Sequence, residues 1–281
     1  MKVMVIGGGG REHAIIKKIK ENKKVSEIFA VPGNGGIQKD ATCVNIDSKD
    51  INKIVLFAVE NKIDYVIVAP DDPLVAGLVD ELERANIPCF GPNKRAAIIE
   101  GSKVFSKNLM KKYSIPTAQY EVFSDMGKAL DYLDTAVIPV VIKADGLALG
   151  KGVIIAENLN EAKSAIKLIM EDKAFGDSGN QIVIEEYLSG PEVSVLAFTD
   201  GKPVVPMNSS MDHKSALDGD KGLNTGGMGT IAPNPYYTPE IAKKCMKEIF
   251  IPSIEAMNKE GRSFSGCLYF GLMSGKDRGR M

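Results

Sequence analysis

Residues Pro139–Ala156 read PVVIKADGLALGKGVIIA. Val140, Val141 and Ile142 lead into a glycine-rich turn, and Val153, Ile154 and Ile155 follow it. That β-branched composition predicts strand, turn, strand. Lys143 closes the first strand and Lys151 lies in the turn, among Gly146, Ala148, Gly150 and Gly152. So many small residues let the backbone move and come close to a ligand. A mobile hairpin carrying two lysines suits a lid over a polyphosphate, because backbone N–H and ammonium groups both complement anionic oxygens. An ordinary surface hairpin with solvated lysines would look the same, so the flanking chain has to decide.

Upstream, the apolar strand Lys2–Ile6 runs into Gly7-Gly8-Gly9-Gly10-Arg11-Glu12-His13, and Ala14, Ile15, Ile16 and Ile19 then recur with helical spacing. Strand, glycine loop, helix places an anion at a helix N-terminus. A dinucleotide fingerprint needs glycine at the sixth position, where this chain has Glu12, so a smaller phosphate is the better ligand. Strands at Ile28–Val31, Asp64–Val68 and Pro88–Phe90 alternate with helices at Asp50–Asn61 and from Pro73 to near Asn86. The alternation predicts a parallel α/β sheet, within an N-terminal domain of residues 1–100. Ligands of such sheets sit beyond the carboxyl ends of the strands, where Gly7–Glu12 and Pro70–Leu74 fall. Asp71 and Asp72 have two readings there: N-caps of the following helix, or acceptors facing the pocket.

Downstream, helical sequence over Asn93–Tyr113 is broken near Glu100-Gly101-Ser102. Val104, Phe105, Leu109 and Met110 form its inward stripe, which leaves Lys103, Lys107, Lys111 and Lys112 elsewhere, most of them on a solvated face. Tyr120–Phe123 reads as a strand, Ser124–Leu133 as a helix, and Asn160–Met170 as a helix capped by Asn158 or Asn160. In the strand Gln181–Leu188, alternation puts Glu186 and Leu188 on one face, with Glu185 and Tyr187 on the other. Such a strand can hydrogen-bond a purine and a ribose hydroxyl, or simply carry two carboxylates at a sheet edge. After Ser189-Gly190-Pro191 the chain returns along Glu192–Phe198. Met207–Asp220 and Asn224–Gly229 read as a loop without secondary structure, with Asn, Thr and glycine donors that favour ligand contact. A helix over Tyr237–Glu260 and a buried strand over Phe264–Met273 complete the pattern.

Composition narrows the function classes. With 281 residues the chain fits two or three compact units, and 44% hydrophobic and 25% charged residues fit a soluble globular protein. A formal net charge of −1 lacks the basic footprint of nucleic-acid binding. No apolar run is long enough for a signal peptide or a membrane span. Cys43, Cys89, Cys245 and Cys267 are too scattered for a zinc or redox pair, which predicts free, partly buried thiols in a cytoplasmic protein. With His13 and His213 as the only histidines, a multi-histidine metal site is excluded.

Taken together, VIGGGGREHA, VPGNGG, PDDPLVAGLVD, EGSKVFSK, VIKADGLALGKGV, IVIEEYLSGPEVS, DHK and DGDKGLNTGGMG closely resemble the phosphoribosylamine–glycine ligase (glycinamide ribonucleotide synthetase) family of the ATP-grasp superfamily. The resemblance is nearly continuous from Met1 to about Met273, with small departures at Ala69 and Asp71, where the family often has Gly-Pro-Glu. It implies a pre-ATP-grasp α/β domain followed by an incomplete ATP-grasp (α+β) fold over 101–281: a linker helix over 101–120, a lid-containing ATP subdomain over 121–190 and a partial second half over 191–281. It also implies the activity: ATP phosphorylates glycine, and 5-phosphoribosylamine attacks the acyl phosphate, giving glycinamide ribonucleotide, ADP and phosphate in purine synthesis.

By this resemblance Lys103, Lys143 and Lys151 would serve the ATP phosphates, and Lys107, Gly150, Gly152 and Glu185 would also bind the nucleotide. Glu186, Tyr187 and Leu188 would border the adenine, and Glu192 would hold the ribose. Gly8, Gly9, Gly10 and Arg11, with Pro70, Asp71 and Asp72, would face the phosphoribosylamine. Asp212 and Lys214 would stand with Lys143 in the catalytic set, next to Asn224, Thr225, Gly226, Gly227 and Met228. The partners implied are small molecules, with no nucleic acid or membrane, and the expected state is a monomer. The family's magnesium or manganese ligands lie on a strand after GLM, followed by a C-terminal domain, and Ser274–Met281 does not resemble that continuation. The expectation is a chain with no metal ligand of its own and defective turnover. Another ATP-grasp carboxylate–amine ligase and a non-catalytic nucleotide-binding module are the alternatives.

Overall fold

The computed structural model describes residues 1–148, 152–219 and 221–274, without the side chains of Ser215, Lys221, Leu223 and Asn224. The turn residues Gly150 and Lys151 lie outside the described residues. The chain packs as two compact units, Met1–Ile98 with Phe264–Gly266, and Ile99–Ser263 with the chain from Cys267.

In the first unit, β1 (Lys2–Gly7), β2 (Glu27–Pro32), β3 (Thr42–Cys43), β4 (Tyr65–Val68) and β5 (Cys89–Phe90) form one parallel sheet ordered β3-β2-β1-β4-β5. β1 is central, and its continuous apolar run follows from cover on both faces. Met4 and Ile6 pack with Val31, Val66 and Leu82 on one side, while Val3 and Val5 pack with Ile16, Ile28 and Ile37 on the other. The crossovers are α1 (Gly10–Lys20), α2 (Ile51–Glu60, capped by Asp50), α3 (Asp71–Ala76) and α4 (Leu78–Arg84). The N-cap of α3 is Pro70, so neither Asp71 nor Asp72 caps a helix as one reading held. Both carboxylates sit in its first turn, where the helix dipole favours negative charge. Burial, reinforced by the carboxylates of Glu83 and Asp80, pushes the Cys89 thiol up to about 11. Its alkylation by iodoacetamide, followed by peptide mass spectrometry, should therefore be slow at pH 8, with roughly a thousandth of the thiol ionised, and should accelerate steadily as pH rises.

The helix α5 (Lys94–Gly101) leads from the first unit into the second and is followed by Ser102, whose hydroxyl caps α6 (Lys103–Lys112) by accepting from the Phe105 N–H at 3.0 Å. Next come β6 (Tyr120–Phe123), α7 (Met126–Tyr132), β7 (Val140–Ala144), β8 (Val153–Ala156), α8 (Leu159–Met170, capped by Asn158) and β9 (Ile182–Glu186). The strands form an antiparallel sheet ordered β6-β9-β7-β8. Its core joins Ile142, Ile182 and Ile184 to Ala129 of α7 and to Ile166 and Ile169 of α8. The opening hairpin is thus a real β7–β8 pair.

One expectation about this unit is overturned and two are refined. The return strand read over Glu192–Phe198 is β10 (Glu192–Thr199), and it does not pair with β9 but belongs to another sheet, ordered β11-β10-β14, with β11 at Val204–Pro206 and β14 at Gly266–Met273. The reason is steric: β6 and β7 already occupy both edges of β9, so no edge is left for a hairpin partner. The stretch read as a structureless loop is an antiparallel hairpin of β12 (Met211–Leu217) and β13 (Lys221–Ile231). Register shifts on either side of Ser215 break its alternation, which hides strand periodicity in a glycine-rich sequence. The helix read over Tyr237–Glu260 is α9 (Pro239–Cys245), a π turn (Met246–Phe250) and α10 (Ile251–Lys259). Pro252 lacks an N–H, and the ladder widens where that donor is missing. Among the described residues no helix is long and apolar enough to cross a membrane.

Candidate active site

The strongest concentration of site residues is a cavity of about 350 Å³ in the second unit. Leu109, Met110, Leu188, Leu268 and Phe270 give it apolar walls, while Lys107, Lys143 and Glu185 bring charge into it. Glu185 is buried, and the ammonium of Lys143 contacts its Oε1. Lys107 Nζ lies 2.5 Å from Oε2 as an ion contact without an aligned hydrogen bond, and donates to Thr117 Oγ1 at 2.8 Å. Of the four lysines left off the apolar stripe of α6, most of them read as solvated, Lys107 is itself buried. It reaches inward because a lysine stem packs as a hydrophobe and Glu185 meets the charge at its end. Burial lowers the affinity of Lys107 for its proton, with Lys143 adding to the effect and Glu185 opposing it.

Two further groups border this region. Lys103, at the start of α6, donates to the carbonyl of Gly146 in the lid turn at 2.6 Å, and burial lowers its pKa as well. Asp145 fastens the same turn to α6 by accepting from Ser102 Oγ at 3.2 Å and Val104 N–H at 3.1 Å. Glu192 holds the ammonium of Lys214. Burial works against the charge on Lys214, but the Glu192 carboxylate outweighs it and the pKa rises.

Not every expected residue reaches the cavity. Glu186 pairs with the Gln119 backbone, accepting from its N–H at 2.9 Å on Oε1, and does not line the wall. Tyr187 is exposed and, with Leu188, lies beyond the end of β9. Gly152 packs so that an added Cβ would lie 2.7 Å from that of Ala148. Asp212 sits on β12 opposite Thr230, with its Oδ1 3.1 Å from where a Gly227 Cβ would be. Thr225 Oγ1 donates to the Lys214 carbonyl at 2.9 Å and accepts from the Gly227 N–H at 3.1 Å. Met228 is exposed, and Asn224 and Gly226 contribute β13 backbone.

In the first unit, Gly8 touches the chain so closely that a Cβ would lie 2.6 Å from the Gly33 carbonyl oxygen. Asn34 Nδ2 donates to the Gly8 carbonyl at 2.7 Å. The Gly9 N–H donates to Glu12 Oε2 at 2.6 Å, and Arg11 Nε donates to Glu12 Oε1 at 2.7 Å. Gly10 opens α1 with open space around it. Pro70 and Asp72 flank Asp71, whose proton affinity is raised by burial and lowered by Arg11, while Asp72 pairs with Lys49 at 2.9 Å. Reading the sequence missed the supporting roles of Glu12, Asn34 and Asp145. Glu12 had a signal: a carboxylate three residues past the N-cap is the second half of a capping box. Tyr269 and Thr117, both on the cavity wall, carried none.

Residues 1–100 match the N domain of phosphoribosylglycinamide synthetase, and residues 101–281 match its ATP-grasp (A) domain. A phosphoribosylamine–glycine ligase from Caldanaerobacter subterraneus subsp. tengcongensis is 48% identical over 277 residues, covering 99% of this chain and 66% of that protein. A crystal structure of the phosphoribosylamine–glycine ligase from Thermotoga maritima superposes with a TM-score of 0.84 at 33% identity, covering 98% of this chain and 66% of that one. The biotin carboxylase domain of Hydrogenobacter thermophilus 2-oxoglutarate carboxylase, solved with magnesium ADP, shares the fold at a TM-score of 0.75 and 18% identity, covering 97% and 61%. The chain thus spans just under two thirds of the relatives it matches.

Proposed function

The chain belongs to the phosphoribosylglycinamide synthetase family, and on that premise we propose that it acts in purine synthesis as an ATP-dependent carbon–nitrogen ligase. ATP phosphorylates the glycine carboxylate, whose oxygen is otherwise a poor leaving group. The amine of 5-phosphoribosylamine attacks the glycyl phosphate, forms the amide bond and expels phosphate, leaving glycinamide ribonucleotide and ADP. Catalysis of this kind is mostly positioning and charge neutralisation.

The cavity is the observation that carries the reading: apolar walls fit a purine, and two ammonium groups on one side fit its phosphates. Leu188 borders the base, Lys107, Lys143 and Lys103 take phosphate oxygens, and Glu192 exchanges its Lys214 contact for the ribose hydroxyls. That exchange frees Lys214, with Asp212 and Thr225, to face the acyl phosphate. The N-terminus of α1 and Arg11 receive the phosphate of phosphoribosylamine. Among the described residues no group of three or more His, Cys, Asp or Glu side chains is placed to hold a metal ion. We read the protein as a cytoplasmic monomer.

Isothermal titration should find one ADP site per chain, and a coupled assay should find ADP release that needs both glycine and phosphoribosylamine. Release that needs a different carboxylate or amine points to another ATP-grasp ligase. ADP binding with no release under any pairing points to a nucleotide-binding module.

A further inference from the structure

Glu185 stands between two cations in an interior where neither would be stable alone. Its carboxylate contacts the ammonium of Lys143 from β7 and lies 2.5 Å from that of Lys107 from α6, all three on the cavity wall. A buried charge persists only when it is paired. The pair of lysines also repel one another, so removing the carboxylate would leave two neighbouring cations with little water. We propose that Glu185 is a positioning residue of the nucleotide site: by contacting both ammonium groups it holds Lys107 and Lys143 aimed into the cavity, with Lys107 charged, before an anionic ligand arrives. The proposal rests on the nucleotide reading of this cavity.

The surroundings do not offer a substitute. Glu186 also raises the proton affinity of Lys107, but its Oε1 is engaged by the Gln119 N–H. The centre of the Tyr120 ring of β6 lies 5.5 Å from Lys107 Nζ and 5.5 Å from Lys111 Nζ. Glu100 and Tyr269 also line the cavity, and Lys103, near Lys143, adds positive charge. Burial already lowers the pKa of Lys107 with Glu185 in place. Neutralising Glu185 removes the largest opposing effect, so this amine would lose its proton closer to neutrality.

The sign of the effect on ligand binding follows. Wild type carries two cations and one anion at the site, Glu185→Gln two cations and no anion. At low pH the variant should bind ADP as tightly as wild type or a few-fold tighter. As pH rises its lysine deprotonates and phosphate binding weakens, with one proton linked per amine lost. Titration calorimetry with ADP between about pH 8 and pH 9.5, a window above the titration of the terminal phosphate, reads this directly. Wild type should stay within about twofold, and Glu185→Gln should fall about tenfold or more. The double variant Glu185→Gln/Lys107→Met should be weak but flat, because the titrating amine is gone. A uniform loss in Glu185→Gln, parallel to the wild-type profile, overturns the proposal and leaves the nucleotide site standing. A wild-type profile that itself falls across the window overturns it without any variant, which matters if Glu185→Gln folds poorly by circular dichroism. No ADP binding by wild type overturns both readings.

Discussion

Gly179→Ala should lower the unfolding free energy by about 3 kcal/mol, the upper end of the usual cost of forcing atoms into a packed interior. Gly179 lies in a short 3₁₀ turn, Gly176–Asn180, where an added Cβ would stand 2.1 Å from the Ile169 carbonyl oxygen and 3.2 Å from its carbon. Those are backbone atoms of α8, whose Ile166 and Ile169 belong to the core under the β6-β9-β7-β8 sheet. A flexible side chain could swing aside; a helix carbonyl cannot without moving the helix. Lys173 reinforces the contact by donating to the Gly179 carbonyl at 3.1 Å and Asn180 Oδ1 at 2.8 Å. Urea denaturation at constant m-value measures the loss. Gly35→Ala is the control, since a Cβ there meets nothing within 4 Å and its effect should stay within about 0.5 kcal/mol. Equal midpoints for the two variants would refute the account.

These two glycines are indistinguishable as letters, and the contrast marks what could be read from the chain alone. Strands such as Val140–Ala144 announced themselves because their β-branched composition is local information. The partner of a strand is not local: β10 follows β9 in sequence and pairs elsewhere because both edges of β9 are taken. The site divides in the same way. Lys143 and Glu185 each stood out by type, and their charges fitted a phosphate and a base. That they would touch depends on register, which sets Val141 against Glu185 and Lys143 against Val183. The two therefore lie diagonally on one face of the sheet, within reach of long side chains. Lys107 was hidden for a further reason. Its helix shows a clean apolar stripe without it, so periodicity assigns the lysine to solvent, and only the tertiary position of Glu185 turns it inward.

Lys143→Met should weaken ADP binding by about a hundredfold, the range expected for losing a charge-assisted hydrogen bond to phosphate in a largely desolvated site. The same substitution should also destabilise the free protein, because Glu185 loses one of its two cations while remaining buried. Full orphaning of a buried charge costs about 3–5 kcal/mol, and the remaining contact with Lys107 should hold the loss nearer 1–2 kcal/mol. Adding Glu185→Gln then separates the two effects. With the carboxylate neutral, the Lys143→Met change no longer strands a charge, so the double variant should be more stable than the sum of the single losses predicts, by about 1 kcal/mol in a double-mutant cycle. ADP affinity should not recover, since a neutral amide at 185 supplies no cation for the phosphates. Stability restored without binding would show that the Lys143–Glu185 contact holds the empty protein together while the Lys143 charge serves the ligand. Strict additivity in the stability cycle would mean that the two side chains do not share an interaction, and the ion contact across β7 and β9 would then carry no weight in the fold.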